Sequence, residues 1–180
     1  YATGTTIKDQ INVPLTFISS NPSSYLYLTP KRVRFNDNFI EFIPNRDKCE
    51  DYDEYIYGIE SGLPPYLEKF DVAQMQNIFS KNNVIYLMSE QDKKTDYLDR
   101  SCGANLQGEN RIDRAINFFY HVRKNYQGHS HDFISIPNIG HDHLKVFESE
   151  QAQNIFFRKQ RNDNLIINHI GSKKNVTTTP

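Results

Sequence analysis

His141 ends the run Ile136-Pro137-Asn138-Ile139-Gly140-His141, where an apolar segment gives way to a polar loop. Asp92 ends a second run in the same way, Asn83-Val84-Ile85-Tyr86-Leu87-Met88-Ser89-Glu90-Gln91-Asp92. An imidazole and a carboxylate delivered from the ends of two buried strands suit acyl transfer. The imidazole takes a hydroxyl proton and returns it to the leaving group, while the carboxylate fixes the imidazole tautomer and stabilises the imidazolium. Acid before base is the chain order of a Ser-Asp-His triad in which each member leaves the C-terminal end of a parallel strand. His141 is therefore the candidate base and Asp92 its orienting carboxylate, with Gly140 expected to permit the tight turn between strand and histidine. Glu90, Asp96, Asp99 and Asp142 compete for the carboxylate role. Asp92 is preferred because it lies farthest out of the strand yet ahead of the solvent-marking Lys93-Lys94 pair, whereas Asp142 is placed to hold its loop or cap a following helix.

The third member of a triad is missing from these 180 residues, which contain no Gly-x-Ser-x-Gly elbow. Gly128-His129-Ser130-His131-Asp132 comes nearest, but aspartate stands where the second small residue belongs, with a helical pattern before it and a strand pattern after it. Ser19, Ser20, Ser23 and Ser24 precede Asp92 without the glycines an elbow needs. A rival chemistry is metal binding, since His129, His131, Asp132, His141, Asp142 and His143 give His-x-His spacing twice. An extended strand between His131 and His141 holds them about 25–30 Å apart. Either pair alone offers too few ligands, so no metal or other cofactor is expected, and His129, His131 and His143 read as solvated loop histidines.

A net charge of −1 lays down no phosphate-tracking surface, and no dense lysine or arginine run occurs, so nucleic acid is not an expected partner. No apolar stretch reaches the roughly 18 residues of a membrane span. Cys49 and Cys102 lie far apart and in no Cys-x-x-Cys spacing, so neither a disulfide framework nor a zinc ribbon is indicated, and the compartment stays unassigned. Asn175-Val176-Thr177 fits a glycosylation acceptor, a weak signal in an asparagine-rich chain. The first residue is Tyr1 rather than methionine, which suggests a processed or truncated polypeptide.

The elements that must position His141 and Asp92 follow from pattern. Residues 11–20 read as a strand ended by the turn signal Asn21-Pro22. From Ser23 to about Phe70 lies a long, tyrosine-rich and unperiodic excursion, either a lid-like insertion that shapes a substrate site or a surface insertion packed by its own aromatics. Asp71 can cap a short helix with Val72, Met75, Ile78 and Phe79 on one face. Residues 84–88 form an unbroken apolar strand, as expected when helices cover both faces of a parallel sheet. Ile112, Ala115, Ile116, Phe119 and Val122 mark a helix over 109–126 with Gly128 placed to close it. Residues 133–139 read as a third strand, 144–157 as a helix, and 159–180 as a loosely held tail. The alternation is α/β, with the domain running over residues 1–158.

Four segments, in order and spacing, resemble a serine-hydrolase-like family of α/β-hydrolases. They are residues 20–28 (Ser20 to Leu28); Cys49 and Tyr52 with Tyr57-Gly58-Ile59-Glu60 and Leu63-Pro64-x-Tyr66; Leu98-Asp99-x-Ser101-x-x-Ala104-x-x-Gln107-Gly108-x-x-Arg111; and Pro137-x-x-Gly140-His141-Asp142. The similarity covers nearly all of residues 11–148 and lies in the family's C-terminal half. It implies that the fold is the C-terminal part of an α/β-hydrolase, that Asp92 is the acid and His141 the base, and that an upstream half carries the elbow serine and the oxyanion-hole amides. The expected function is esterase-like acyl hydrolysis, inactive in this chain alone, on a small acyl or ester substrate, with Tyr25 and Tyr57 as candidates for the pocket wall. A three-stranded parallel sheet leaves one edge unpaired, so a missing N-terminal half or a partner chain is expected to complete it. The alternative is a hydrolase-like scaffold without catalysis, serving as an interaction subunit through its aromatic surface.

Overall fold

The computed structural model describes residues 14–157. The tail expected over 159–180, Asn175 and the first residues of the strand expected from 11 lie outside them. The strands are β1 (Thr16–Ser20), β2 (Arg32–Asn36), β3 (Asn38–Phe42), β4 (Asn83–Ser89) and β5 (His131–Ile136). The helices are α1 (Pro65–Glu68), α2 (Val72–Lys81), α3 (Cys102–Asn105), α4 (Arg111–Asn125), α5 (His143–Glu148) and α6 (Glu150–Phe156).

β4 is central in a three-stranded sheet of order β1-β4-β5, parallel on both sides. Its residues after Asn83 are all buried, because successive side chains enter opposite cores. Val84, Tyr86 and Met88 join Met75 and Phe79 of α2 and Ile112, Ala115, Phe118 and Val122 of α4. Leu87 packs instead with Ile136, Val146 and Ala152, beneath α5 and α6. The faces differ from expectation in detail. Phe118, absent from the expected stripe, is core, whereas Val72 is 48% exposed.

Local chemistry sets the helix ends. Asp71 accepts from the Gln74 amide while the Gln74 side chain accepts from the Asp71 amide, the reciprocal box that starts α2. The single helix expected over 144–157 is two, because Ser149 takes an extended conformation (ψ 149°) and caps α6 through the Ala152 amide.

The excursion is more regular than its sequence suggests. β2 and β3 pair antiparallel around Asp37 at φ 57°, a hairpin whose five-residue strands are too short to show as periodicity. Arg32, fully buried, donates to the carbonyls of Thr29, Lys31, Tyr52 and Tyr57 and to Asp53. Cys49 and Cys102 form a disulfide, Cα atoms 5.7 Å apart, which corrects the expectation drawn from their spacing. Fifty-three positions separate them, and only the folded chain brings them together. Gly103 lies beneath Tyr57, whose ring would be 2.5 Å from any added Cβ.

Candidate functional site

Parallel pairing places the ends of β4 and β5 at one edge of the sheet, Ser89 opposite Ile136. Two backbone bonds tie the loops beyond them, from the Glu90 amide to the Ile136 carbonyl and from the Gln91 amide to the Ile139 carbonyl, both 3.0 Å. Asn138, not Gly140, takes the left-handed conformation in the second loop, with φ 61°. An asparagine tolerates that region because its short amide bonds locally.

These loops bring His141 and Asp92 together across 49 positions, with Nδ1 2.9 Å from Oδ2. A carboxylate only accepts, so Nδ1 carries the proton and donates, which leaves the ring's lone pair on Nε2. The Asp92 side chain is fully buried and the His141 side chain 45% exposed, a dry anchor beneath an accessible base. The second carboxylate oxygen, Oδ1, accepts no hydrogen bond and lies 3.6 Å from the Arg111 guanidinium, itself only 3% exposed. Arg111 also donates to the carbonyls of Lys94 (3.1 Å) and Asp96 (3.0 Å). The sequence marks Arg111 only as the last residue of a motif, because its partners lie in a loop that carries no pattern.

Three of the competing carboxylates are engaged elsewhere, and the Asp96 side chain is exposed. Glu90 accepts from the Ser135 hydroxyl at 2.6 Å. Asp99 accepts from the Tyr57 hydroxyl (2.7 Å) and the Ser101 amide (2.9 Å). Against a desolvation that pushes it up, these bonds hold the Asp99 carboxyl below its usual value. Asp142 caps α5 through the Lys145 amide. The Asp96 backbone carbonyl serves Arg111.

Tyr25 is buried with its ring stacked on Phe118 at 4.5 Å, its hydroxyl 3.6 Å from the Met88 sulfur. Tyr57 is half-buried and tied to Asp99 and Ser101. Neither hydroxyl bonds to His141 or Asp92. Tyr25 lines a mostly apolar cavity of about 300 Å³ beside β1, with Phe17, Leu26, Val84, Tyr86 and Phe118.

The other histidines divide. His143 is exposed, but His131 is buried, which corrects its assignment as a solvated loop residue. Its ring takes a bond from Tyr86 (3.0 Å) and gives one to the Phe79 carbonyl (2.7 Å), so both nitrogens are occupied, and burial pulls its pKa down to about 4. His129 is half-buried and accepts from the His131 amide. Among the described residues no three His, Cys, Asp or Glu side chains converge as a metal site. Ser130 precedes β5, at the sheet edge opposite His141. Ser23 accepts from the Asp99 amide. Among the described residues no helix is long and apolar enough to cross a membrane.

No protein-family model matches the sequence, and no curated protein is a significant match. Solved structures do match. The LpqC poly(3-hydroxybutyrate) depolymerase from Bordetella parapertussis superposes with a TM-score of 0.54 at 15% identity, over 81% of this chain and 41% of that one. Poly(aspartic acid) hydrolase-1 from Sphingomonas sp. KT-1 superposes with a TM-score of 0.52 at 18% identity, over 78% of this chain and 44% of that one. This chain spans less than half the length of either. Both neighbours are hydrolases of the α/β-hydrolase type, and a parallel sheet with flanking helices is common to them and to this chain. The chain therefore carries part of an α/β-hydrolase fold.

Proposed function

We propose that this chain supplies the acid–base half of a serine hydrolase acting on ester or related acyl bonds, with His141 as general base and Asp92 as its orienting carboxylate. The observation that carries the reading is the 2.9 Å bond between a buried carboxylate and a half-exposed imidazole, at the C-terminal edge of a parallel sheet. The nucleophile belongs to a segment upstream of β1, whose outer edge is unpaired among the described residues. In the reaction the serine oxygen attacks the acyl carbon as Nε2 of His141 takes its proton, and the imidazolium then protonates the departing alcohol. Water repeats the cycle and releases the acid. Asp92 keeps its charge throughout and stabilises the imidazolium. In this reading Tyr25 and Tyr57 belong to the wall of a substrate pocket, Tyr25 stacked on Phe118 and Tyr57 bonded to Asp99.

A second reading, a hydrolase-like scaffold without catalysis, draws on the absence of Gly-x-Ser-x-Gly from the 180 residues. One experiment separates the two. A fluorophosphonate probe is applied to the full-length protein that carries this chain, and the labelled peptide is identified by mass spectrometry. Labelling of a serine upstream of these residues is the expected result, and intact folded protein that takes no label favours the scaffold. In the labelled protein, Asp92→Asn is expected to lower kcat about 10⁴-fold by imposing the wrong tautomer, and His141→Ala on the order of 10⁶-fold by removing the base. Unchanged hydrolysis by His141→Ala defeats the assignment.

A further inference from the structure

The Asp92 carboxylate is fully buried, yet it has one hydrogen-bond donor, His141, and its Oδ1 has none. Desolvation of a carboxylate is costly unless a countercharge or further donors compensate. Arg111 is the countercharge, 3.6 Å from Oδ1 and as buried as its partner. Its place is otherwise unfavourable. It is the first residue of α4, behind the Asn110 cap, where the helix dipole favours an acid and disfavours a cation. A buried cation set against a helix N-terminus breaks a local rule, and such breaks concentrate where a site needs the group. The same guanidinium bonds to the Lys94 and Asp96 carbonyls, and so fastens the stretch of chain that leaves Asp92.

We propose that Arg111 is a positioning residue of the site: it supplies the countercharge to buried Asp92 and clamps the loop behind it, so that Oδ2 faces Nδ1 of His141. This inference rests on the acid–base reading given above. Arg111 touches no reacting atom and acts through Asp92 alone.

The test uses the full-length protein with Arg111→Gln, which keeps a donor for the loop but removes the charge, and Arg111→Lys, which keeps the charge. Three quantities are measured: kcat and KM on p-nitrophenyl butyrate, the thermal midpoint, and the low-field proton resonance of His141 Nδ1–H, assigned by its loss in His141→Ala. Arg111→Gln is expected to lower kcat about 10- to 100-fold with KM within about twofold, and to shift or abolish the resonance. Arg111→Lys is expected to hold kcat within about threefold and to keep the resonance. A folded Arg111→Gln with unchanged kcat and resonance overturns the proposal. So does a folded Arg111→Lys that loses as much as the glutamine variant. Should Arg111→Gln fail to fold, the lysine variant decides in the same terms. If His141→Ala retains the parent's activity, the hydrolase reading fails by itself, and the resonance alone decides whether Arg111 positions the pair.

Discussion

Gln107 has no part in proton transfer, yet its amide is fully buried and paired twice with the Tyr25 backbone, accepting from the amide and donating to the carbonyl, both at 2.8 Å. The side chain does for the excursion what a neighbouring strand would do. Its loss leaves two buried backbone groups unpaired, so Gln107→Ala is expected to lower stability by about 3 kcal/mol, read from the midpoint of urea unfolding. Arg114 has a parallel task, holding the carbonyls of Ser23 and Gly108 and the Asn105 side chain. Gln107 within the motif Leu98 to Arg111, and Arg114 just beyond it, are thus fasteners, and a reading alert only to chemistry passes over them. His141 and Asp92 were legible because each ends a run of strand pattern, whereas the engagement of Glu90 with Ser135 rests on a neighbour 45 positions away.

Among the elements, β4 was the easiest to read, because burial on both faces writes itself as an unbroken apolar run. α2 and α4 followed from period and capping residues, with bounds close to those expected. The β2–β3 hairpin was not legible, since five residues a side carry little pattern and Arg32, the buried cation that ties the start of β2 to Tyr52, Asp53 and Tyr57, sits inside a polar-looking segment. The Cys49–Cys102 bond joins the stretch of chain after that hairpin to the first residue of α3. Closing a loop of 53 positions restricts the unfolded chain by about 4 kcal/mol in the chain-entropy account. Reduction is therefore expected to lower the urea midpoint substantially. Peptide mapping without reductant should recover the cross-linked pair, and two alkylated free thiols would contradict it.

For the whole molecule, acid is the expected weak point. His121 and His131 are both buried, and desolvation, opposed at His121 by Glu41 3.0 Å away, takes each from its ordinary 6.5 down to about 4. Between those values the unfolded chain binds protons that the folded chain refuses, so stability falls with pH in that window. Above pH 6.5 the full stability is present. Each histidine contributes a loss on the order of 3 kcal/mol by pH 4. Urea midpoints measured from pH 7.5 to 4.5 should fall steadily below 6.5, and a flat profile would show that the two rings take protons without cost.

The sequence by itself determined the α/β alternation, the three parallel strands, the two longest helices and the placing of Asp92 and His141 beyond the ends of two neighbouring strands. Each of these is recorded in spacing along a single element, which hydrophobic periodicity reports directly. The tertiary structure alone decided that Oδ2 of Asp92 meets Nδ1 of His141, that Arg111 stands behind them, that Cys49 reaches Cys102, and that His131 is core rather than loop. Those contacts join segments tens of positions apart. Their geometry depends on how sheet, helices and excursion pack together, which no local pattern encodes.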